Sequence, residues 1–262
     1  MKVFVALASL LVVAAASPFE GRITQGELAE PGQFPYQVGL SLHIKDKRAW
    51  CGGSLISNRH IITAAHCTDS ADGVDVTIGT NDIKDPERQV IYVSKANIKV
   101  HEKWIAALIK NDIAIITLPA PIRFNKYIQP VALPKKSNTY SSYDGQEGFA
   151  SGWGKISDKE TSVTDLLRFI EAPIMGNSAC SRYYGGNVGK NQICIRTKGT
   201  HKSTCNGDSG GPLVVHDLKE GPVLVGLTSF GTSIGCESGF PGVFTRITSF
   251  LDWIEKNSGI SY

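Results

Sequence analysis

The segment Gly207–Pro212, with the sequence GDSGGP, carries a serine whose surroundings suit nucleophilic chemistry. The neighbouring glycines leave the Ser209 hydroxyl uncrowded and leave backbone N–H groups free to point at a ligand. The string also satisfies G-x-S-x-G, which in α/β-hydrolases joins a strand to a helix. Here Pro212 leads into the β-type run Leu213–Val215, and the histidine that follows, His216, lies too close to fold back as a base. The α/β-hydrolase interpretation therefore fails.

The other chain order, His…Asp…Ser, needs a histidine and an aspartate before Ser209. His66 stands in Thr63–Cys67, TAAHC, where small residues leave room for the imidazole and a cysteine can fix the backbone. Asp112 opens an apolar run, and a buried carboxylate there needs hydrogen-bond partners. Taken alone, Asp112 fits a turn or strand-entry aspartate equally well. The histidines at positions 43, 60, 101, 201 and 216 stand in segments without such a signature.

Short apolar runs rich in Val and Ile, separated by Gly, Asn, Asp and Pro, must position these residues. The runs that predict strands are Tyr36–Leu42, Ser54–Ile56, Val74–Ile78, Val90–Val93, Ile113–Leu118, Leu213–Val215, Val223–Leu227 and Val243–Ile247. Many short strands in a chain of 262 residues favour a barrel or a sandwich. The sequence contains no linker-like or low-complexity stretch.

Two helices are predicted against this β background. Asn177 can cap a helix over Ser178–Tyr184 that stops at the glycine pair following it. Ser249 and Asp252 form a capping-box pattern that opens an amphipathic helix running to about Lys256. The sequence therefore predicts an all-β fold with a helix near the C-terminus.

The composition, with 19% charged residues and 27 glycines, is that of a soluble globular protein. A formal net charge of +3 without a basic stripe predicts no nucleic-acid partner and no membrane partner. Residues 1–16 predict a signal peptide, because a positive start precedes the apolar run Val3–Val13 and the small residues Ala14–Ala16. The run is too short to cross a bilayer of about 30 Å at about 1.5 Å per residue. The chain is thus expected to be secreted.

Six cysteines follow this leader, at positions 51, 67, 180, 194, 205 and 236. An even number in a secreted chain predicts three disulfides, and the count alone leaves 15 connectivities open. A zinc site is disfavoured, because no C-x-x-C pair or Cys/His cluster offers ligand spacing.

Taken together, the motifs around His66, Asp112 and Ser209 resemble the chymotrypsin/trypsin family of serine endopeptidases. The resemblance extends over the chain after the leader, through the segments Cys51–Ile56, Pro130–Pro134, Ser151–Gly154, Ser229–Gly231 and Pro241–Phe244. The sequences RITQG and GQFPYQ look most like arthropod digestive chymotrypsin-like and brachyurin enzymes. The family implies two antiparallel six-stranded β-barrels, roughly 23–125 and 126–262, with the active site between them.

The resemblance also assigns roles. Ser209 would be the nucleophile, His66 the general base and acid, and Asp112 the residue that orients the imidazole. The N–H groups of Gly207 and Ser209 would form the oxyanion hole, and Ser229 would contact the aspartate and the substrate backbone. The disulfides it implies are Cys51–Cys67, Cys180–Cys194 and Cys205–Cys236.

Activation is implied by the segment that follows the leader. Residues 17–22 would form an activation peptide, and cleavage after Arg22 would free the amine of Ile23 to pair with Asp208. After this cut the chain would start with Ile-Thr-Gln-Gly instead of the common Ile-Val-Gly-Gly. It keeps the first isoleucine, Ile23, and the last glycine, Gly26. An activating trypsin-like protease is therefore an expected partner, as are protease inhibitors.

Specificity is implied by Ser203, which matches the base of the family's specificity pocket, and by Gly231 and Gly242, which match its walls. An uncharged pocket favours large apolar or aromatic residues before the scissile bond. No cofactor and no metal is expected, since Thr80 stands where calcium-binding relatives place a glutamate. The expected function is digestive proteolysis of protein and peptide substrates by a monomer. A collagenolytic protease, a regulatory or venom homologue and a catalytically inactive binding protein are the alternatives.

Overall fold

The computed structural model describes residues 26–200 and 202–260, so the predicted leader, Arg22 and Ile23 lie outside the described residues. Its strands are β1 Glu27–Leu28, β2 Gln37–Ile44, β3 Lys47–Leu55, β4 His60–Thr63, β5 Gly73–Ile78, β6 Gln89–Ser94, β7 Ile98–Val100, β8 Ala114–Thr117, β9 Glu147–Gly152, β10 Arg168–Met175, β11 Gln192–Ile195, β12 Pro212–Asp217, β13 Gly221–Phe230 and β14 Gly242–Arg246. Its α-helices are α1 Ala65–Thr68, α2 Asn177–Tyr183 and α3 Leu251–Ser258. Each of the eight predicted strands overlaps one of these strands.

The second half of the chain forms a closed barrel of six antiparallel strands. The order is β9, β10, β11, β14, β13 and β12, and β12 pairs back onto β9 through Leu213 opposite Ala150. Closure leaves no free edge in this ring. The short strand β1 adds to the outside of β10 with Leu28 opposite Arg168.

The first half forms a curled half-barrel in the order β6, β5, β2, β3, β4, β8 and β7. Its long central pair, β2 and β3, keeps one register from Gln37 opposite Ser54 to Ile44 opposite Lys47. The two sheets divide between Thr117 and Glu147, the interval that contains the boundary predicted from the resemblance. The predicted fold class is confirmed, since the chain is largely β and forms two antiparallel units with a helix near the C-terminus. The second unit is the expected six-stranded barrel, whereas the first is a curled half-barrel of seven strands.

Both predicted helices form, but their predicted caps are wrong. Asn177 is already helical, and its amide instead donates to the carbonyl of Gln192 at 2.9 Å, which ties α2 to β11. Ser249 ends a short 3-10 turn, Phe250 precedes α3, and the Ser249 hydroxyl points to the carbonyl of Lys190 at 3.4 Å. In both cases a tertiary partner orients the side chain, and the Asn177 amide oxygen that a cap would use accepts from the Arg246 guanidinium at 3.2 Å.

The core joins the two halves. One apolar cluster contains Leu40 and Ile61 of the first sheet together with Trp153, Leu227 and Ile254. A second cluster fills the closed barrel around Phe244. Because α3 follows the closed barrel in sequence but packs its buried side chains into the first cluster, the end of the chain fastens one half to the other.

The three disulfides are Cys51–Cys67, Cys180–Cys194 and Cys205–Cys236. This is the pairing that the family resemblance implies. Cys51–Cys67 joins β3 to α1, Cys180–Cys194 joins α2 to β11, and Cys205–Cys236 joins two loops outside the ladders. In the span 26–260, apart from residue 201, no helix is long and apolar enough to cross a membrane.

Candidate active site

His66 is carried by α1, a single helical turn directly after β4. Ala64 and Ala65 are fully buried, so the turn packs closely against the core, and their small side chains do not crowd the imidazole. The disulfide from Cys67 to Cys51 fixes the next residue against β3. The imidazole itself is 30% exposed and therefore accessible from solvent.

Asp112 lies just before β8, and it is only 2% exposed. Hydrogen-bond donors surround its carboxylate. Its Oδ1 accepts from the backbone N–H of His66 at 2.9 Å, and its Oδ2 lies 2.8 Å from His66 Nδ1. The Ser229 hydroxyl donates to Oδ2 at 2.6 Å, and the Thr245 hydroxyl donates to the Asp112 carbonyl at 2.7 Å. Such a set satisfies both oxygens of the buried carboxyl group. It also holds the proton of a neutral imidazole on Nδ1, which leaves Nε2 as the basic nitrogen.

Ser209 lies in the loop that leads into β12. Its carbonyl accepts from Gly52 N at 2.7 Å, and the next N–H, of Gly210, donates to the Thr228 carbonyl at 2.7 Å. Gly210 has φ +75°, and a Cβ there would overlap Thr63 Oγ1 and lie 2.9 Å from Ala64 N. The loop is thus wedged between the two sheets, beside the residues that precede His66.

The Ser209 hydroxyl forms no hydrogen bond with any residue in 26–200 or 202–260. The structure therefore joins His66, Asp112 and Ser229 by hydrogen bonds and places Ser209 next to them without a bond to His66. Catalytic hydrogen bonds are often loose without substrate and tighten when it binds.

Backbone N–H groups around Ser209 divide into two sets. Those of Asp208, Gly210 and Gly211 donate to the carbonyls of Cys205, Thr228 and Asp208. Those of Gly207 and Ser209 donate to no acceptor within the described residues. Gly207 has φ +102°, and a Cβ there would lie 2.6 Å from Val163. A pair of unused N–H groups beside a serine hydroxyl can bind an oxyanion.

Asp208 is completely buried behind the serine loop. Its Oδ1 accepts from Gly154 N at 2.7 Å and its Oδ2 from Cys205 N at 2.8 Å. Burial raises the pKa of this carboxyl to about 6, and the two N–H groups oppose the shift only in part. No cation among residues 26–200 and 202–260 pairs with it.

A cleft of about 300 Å³ opens beside Ser209 and contains the four residues predicted to bind substrate: Ser203, Ser229, Gly231 and Gly242. A Cβ added at Gly231 would meet nothing within 4 Å, so that wall is open. At Gly242 a Cβ would lie 3.3 Å from Ile195 Cγ1, and the backbone itself forms the wall there. A larger cavity of about 520 Å³, between Phe34 and Tyr127, includes none of the predicted catalytic residues.

The described residues that line the cleft carry no charged side chain. Sequence reasoning missed two of its aromatic members, Phe230 and Phe240, and missed Thr245 behind Asp112. Phe230 lies inside the motif segment Ser229–Gly231, and Thr245 directly follows Pro241–Phe244, so these positions were the available signal. Phe240 lies in a loop whose course depends on tertiary contacts.

The family model described as Trypsin matches residues 23–254. The chain belongs to the trypsin family of serine proteases. Such proteins are hydrolases, and the serine, histidine and aspartate described above stand within the matched span.

Relatives of this trypsin-family chain are found among arthropods. It is 43% identical to Serine protease 1 of Drosophila melanogaster over 93% of this chain and 88% of that protein. It is 41% identical to Brachyurin of Leptuca pugilator over 91% of this chain and all of that protein. A solved structure described as HL collagenase superposes with a TM-score of 0.81 at 37% identity, covering 90% of this chain and 99% of the other.

Proposed function

We propose that the chain is the secreted precursor of a chymotrypsin-like serine endopeptidase whose catalytic residues are Ser209, His66 and Asp112. The observation that carries the proposal is the carboxylate of Asp112, which is buried and bonded to His66 Nδ1 at 2.8 Å beside an unbonded serine. Another aspartate–histidine pair, Asp75 with His43, differs because Asp75 is partly exposed and also pairs with Arg48, whereas Asp112 is buried.

The proposed reaction follows from these positions. Ser209 Oγ attacks the scissile carbonyl while His66 Nε2 takes the hydroxyl proton, and His66 then gives that proton to the leaving amine. The N–H groups of Gly207 and Ser209 stabilise the oxyanion, where loss of one donor costs about 2.7–4 kcal/mol. Water then attacks the acyl-enzyme ester by the same proton route, which releases the acid and restores Ser209.

The proposed specificity is for large apolar or aromatic residues before the scissile bond. A positively charged side chain would lose its hydration in the cleft and find no carboxylate at Ser203 to replace it. An aromatic side chain would bury apolar area beside Phe230, at about 25 cal/mol per Å². The expected substrates are therefore proteins and peptides with Phe, Tyr, Leu or Met at that position.

Activation is proposed to occur by cleavage after Arg22, through a trypsin-like protease. A carboxylate buried as deeply as Asp208 favours a cation, and the amine of Ile23 would supply one. Leu28, Arg168 and Gly152 stand opposite one another across β1, β10 and β9, and a Cβ on Gly152 would overlap Asp208. The two strand spacings from β1 to β9 amount to about 10 Å, and the five residues from Leu28 back to Ile23 span about 16 Å when extended. The freed amine could therefore reach Asp208.

The biological role is proposed to be extracellular digestion by a monomer that protease inhibitors can block. The second candidate is broad collagenolytic cleavage, which the name collagenase of a relative and of a similar solved structure favours. A profile on fibrillar collagen beside aromatic peptide amides distinguishes the two candidates.

The test is hydrolysis of matched peptide amides that end in Phe, Ala or Lys, before and after treatment with trypsin and removal of the trypsin. We expect activity only after treatment, strongest on Phe, and none in Ser209→Ala treated in parallel. Preference for Lys would contradict the uncharged pocket, and equal activity in Ser209→Ala would contradict the nucleophile.

A further inference from the structure

One wall of the cleft is a connection of eleven residues between β13 and β14, residues 231–241, whose regular structure is a single 3-10 turn, Cys236–Ser238. No strand ladder holds it within the described residues. Its far end is fixed by Thr197, whose hydroxyl donates to the Phe240 carbonyl at 2.6 Å. Its middle is joined to Cys205 by the disulfide from Cys236. A single covalent link at one residue leaves the backbone on either side free to rotate, so the shape of the wall needs a further restraint.

Asp158 supplies that restraint from a distant loop. Its Oδ1 accepts from Cys236 N at 2.7 Å and its Oδ2 accepts from Glu237 N at 3.1 Å. In return, the backbone N–H of Asp158 donates to the Glu237 carboxylate at 3.0 Å. The contact thus has the reciprocal form of a capping box, built between residues 79 positions apart in the chain.

Gly235 shows that the approach of Asp158 is close. It has φ +120°, and a Cβ there would lie 2.5 Å from Asp158 Oδ2. Any side chain at this position would push the carboxylate away from the two N–H groups. The absence of a side chain at Gly235 therefore allows the carboxylate of Asp158 to reach the two N–H groups.

The restrained segment is the part of the wall that faces substrate. Gly231, Ser233, Gly235 and Cys236 all line the cleft. Asp158 also follows Gly154, whose N–H binds the buried Asp208, by only four residues. The same loop thus contacts the serine segment at one point and the cleft wall at another.

We propose that Asp158 is a positioning residue for substrate selection, which holds residues 235–237 so that the cleft keeps its width for a large side chain. The inference rests on the proposed function, because it assigns the cleft to the substrate side chain. A substrate whose side chain does not fill the cleft should be insensitive to Asp158.

The test compares Asp158→Ala with Glu160→Ala, which removes an exposed acid of the same loop whose side chain forms no hydrogen bond or ion pair with residues 235–237. In trypsin-treated protein we expect Asp158→Ala to lower kcat/KM for a Phe amide about tenfold, mainly through KM, the size of one charge-assisted hydrogen bond. For the matched Ala amide we expect a change below about twofold. Asp158→Asn, which keeps one acceptor, should be intermediate, and Glu160→Ala should match the unmodified protein.

Amide hydrogen exchange provides a readout that does not need activity. In a Ser209→Ala background, Asp158→Ala should speed exchange in a peptide covering residues 231–238 and leave peptides from β2 unchanged. Equal loss on the Phe and Ala amides, or unchanged exchange at 231–238, would overturn the inference. Inactivity of the unmodified protein would contradict the proposed function instead, and the exchange result would still decide the role of Asp158.

Discussion

At the scale of single residues, Asp112 shows how a buried charge is made tolerable and useful at once. Three donors reach its carboxylate, from His66 N, His66 Nδ1 and Ser229 Oγ, so no lone charge is left in the core. The same bonds fix the imidazole in one orientation. Removing a donor and removing the charge should therefore have different consequences.

We predict that Asp112→Asn lowers kcat by about 10⁴-fold without unfolding the protein, because an amide presents an N–H to Nδ1 and stabilises the wrong tautomer. Ser229→Ala is the matched comparison. It removes one donor and keeps the charge, so we expect a loss of about tenfold to a hundredfold, the size of a hydrogen bond to a charged group. Single-turnover rates on the Phe amide measure both. A folded Asp112→Asn protein within tenfold of normal kcat would refute the assigned role.

At the scale of elements, the loop before β12 is held by close packing and not by regular structure. Gly210 combines a left-handed backbone with contact against Thr63 and Gly52, which belong to the other sheet. The position of Ser209 therefore depends on β3 and β4 as much as on its own strand. A side chain at Gly210 should separate the two sheets locally.

We predict that Gly210→Ala costs about 2–5 kcal/mol of unfolding free energy, because backbone strain of about 1–2 kcal/mol adds to overpacking of about 1–3 kcal/mol. Gly145→Ala is the matched control. Gly145 has φ +81°, and a Cβ added there would meet nothing within 4 Å, so only the strain remains. Urea unfolding of both variants in a Ser209→Ala background measures the difference. Equal costs would contradict the wedged packing of the loop.

At the scale of the whole molecule, both ends of the described chain cross between the two halves. Strand β1 pairs with β10 of the closed barrel, whereas α3 packs into the core of the first half. The proposed cut after Arg22 thus lies a few residues before β1, which pairs with β10, and β10 in turn pairs with β9. This arrangement links the cut to the buried Asp208.

We predict opposite effects of Asp208→Asn in the uncut and the cut protein. The pKa of Asp208 in the folded protein, about 6, lies above the ordinary value of 3.8. While Asp208 is unpaired, the free energy of unfolding of the uncut protein therefore falls as the pH rises from about 4 to 6. The Asn variant lacks this loss. Its stability relative to the unmodified uncut chain should therefore rise by up to about 3 kcal/mol across that interval.

In the cut protein, the proposed pair with the Ile23 amine keeps the carboxylate charged. Asp208→Asn should then destabilise by about 3–5 kcal/mol near neutral pH, because it leaves a buried cation without its partner. Urea midpoints at pH 4, 5, 6 and 7, in a Ser209→Ala background, measure both cases. A variant with the same pH dependence before and after the cut would contradict the pairing.

Sequence order and residue type predicted most of the candidate site. The G-x-S-x-G string alone was ambiguous, and Pro212 with the β-type run after it decided against an α/β-hydrolase. The runs rich in Val and Ile predicted eight strands that formed. The strands that were not predicted are β1, β4, β7, β9, β10 and β11. Among them, β9, EGFASG, and β10, which contains Pro173, owe their strand character to pairing with each other and not to local propensity.

What the sequence determined by itself is therefore the set of reactive groups, since hydroxyl, imidazole and carboxylate chemistry resides in residue type and chain order. Only the tertiary structure decided that Thr245 donates to the Asp112 carbonyl and that Asp158 accepts hydrogen bonds from the cleft wall. The same holds for Asn177 and Ser249, which bind distant carbonyls instead of capping their helices. The physical reason is that each of these bonds joins groups far apart in the chain, and their geometry exists only once both sheets have packed.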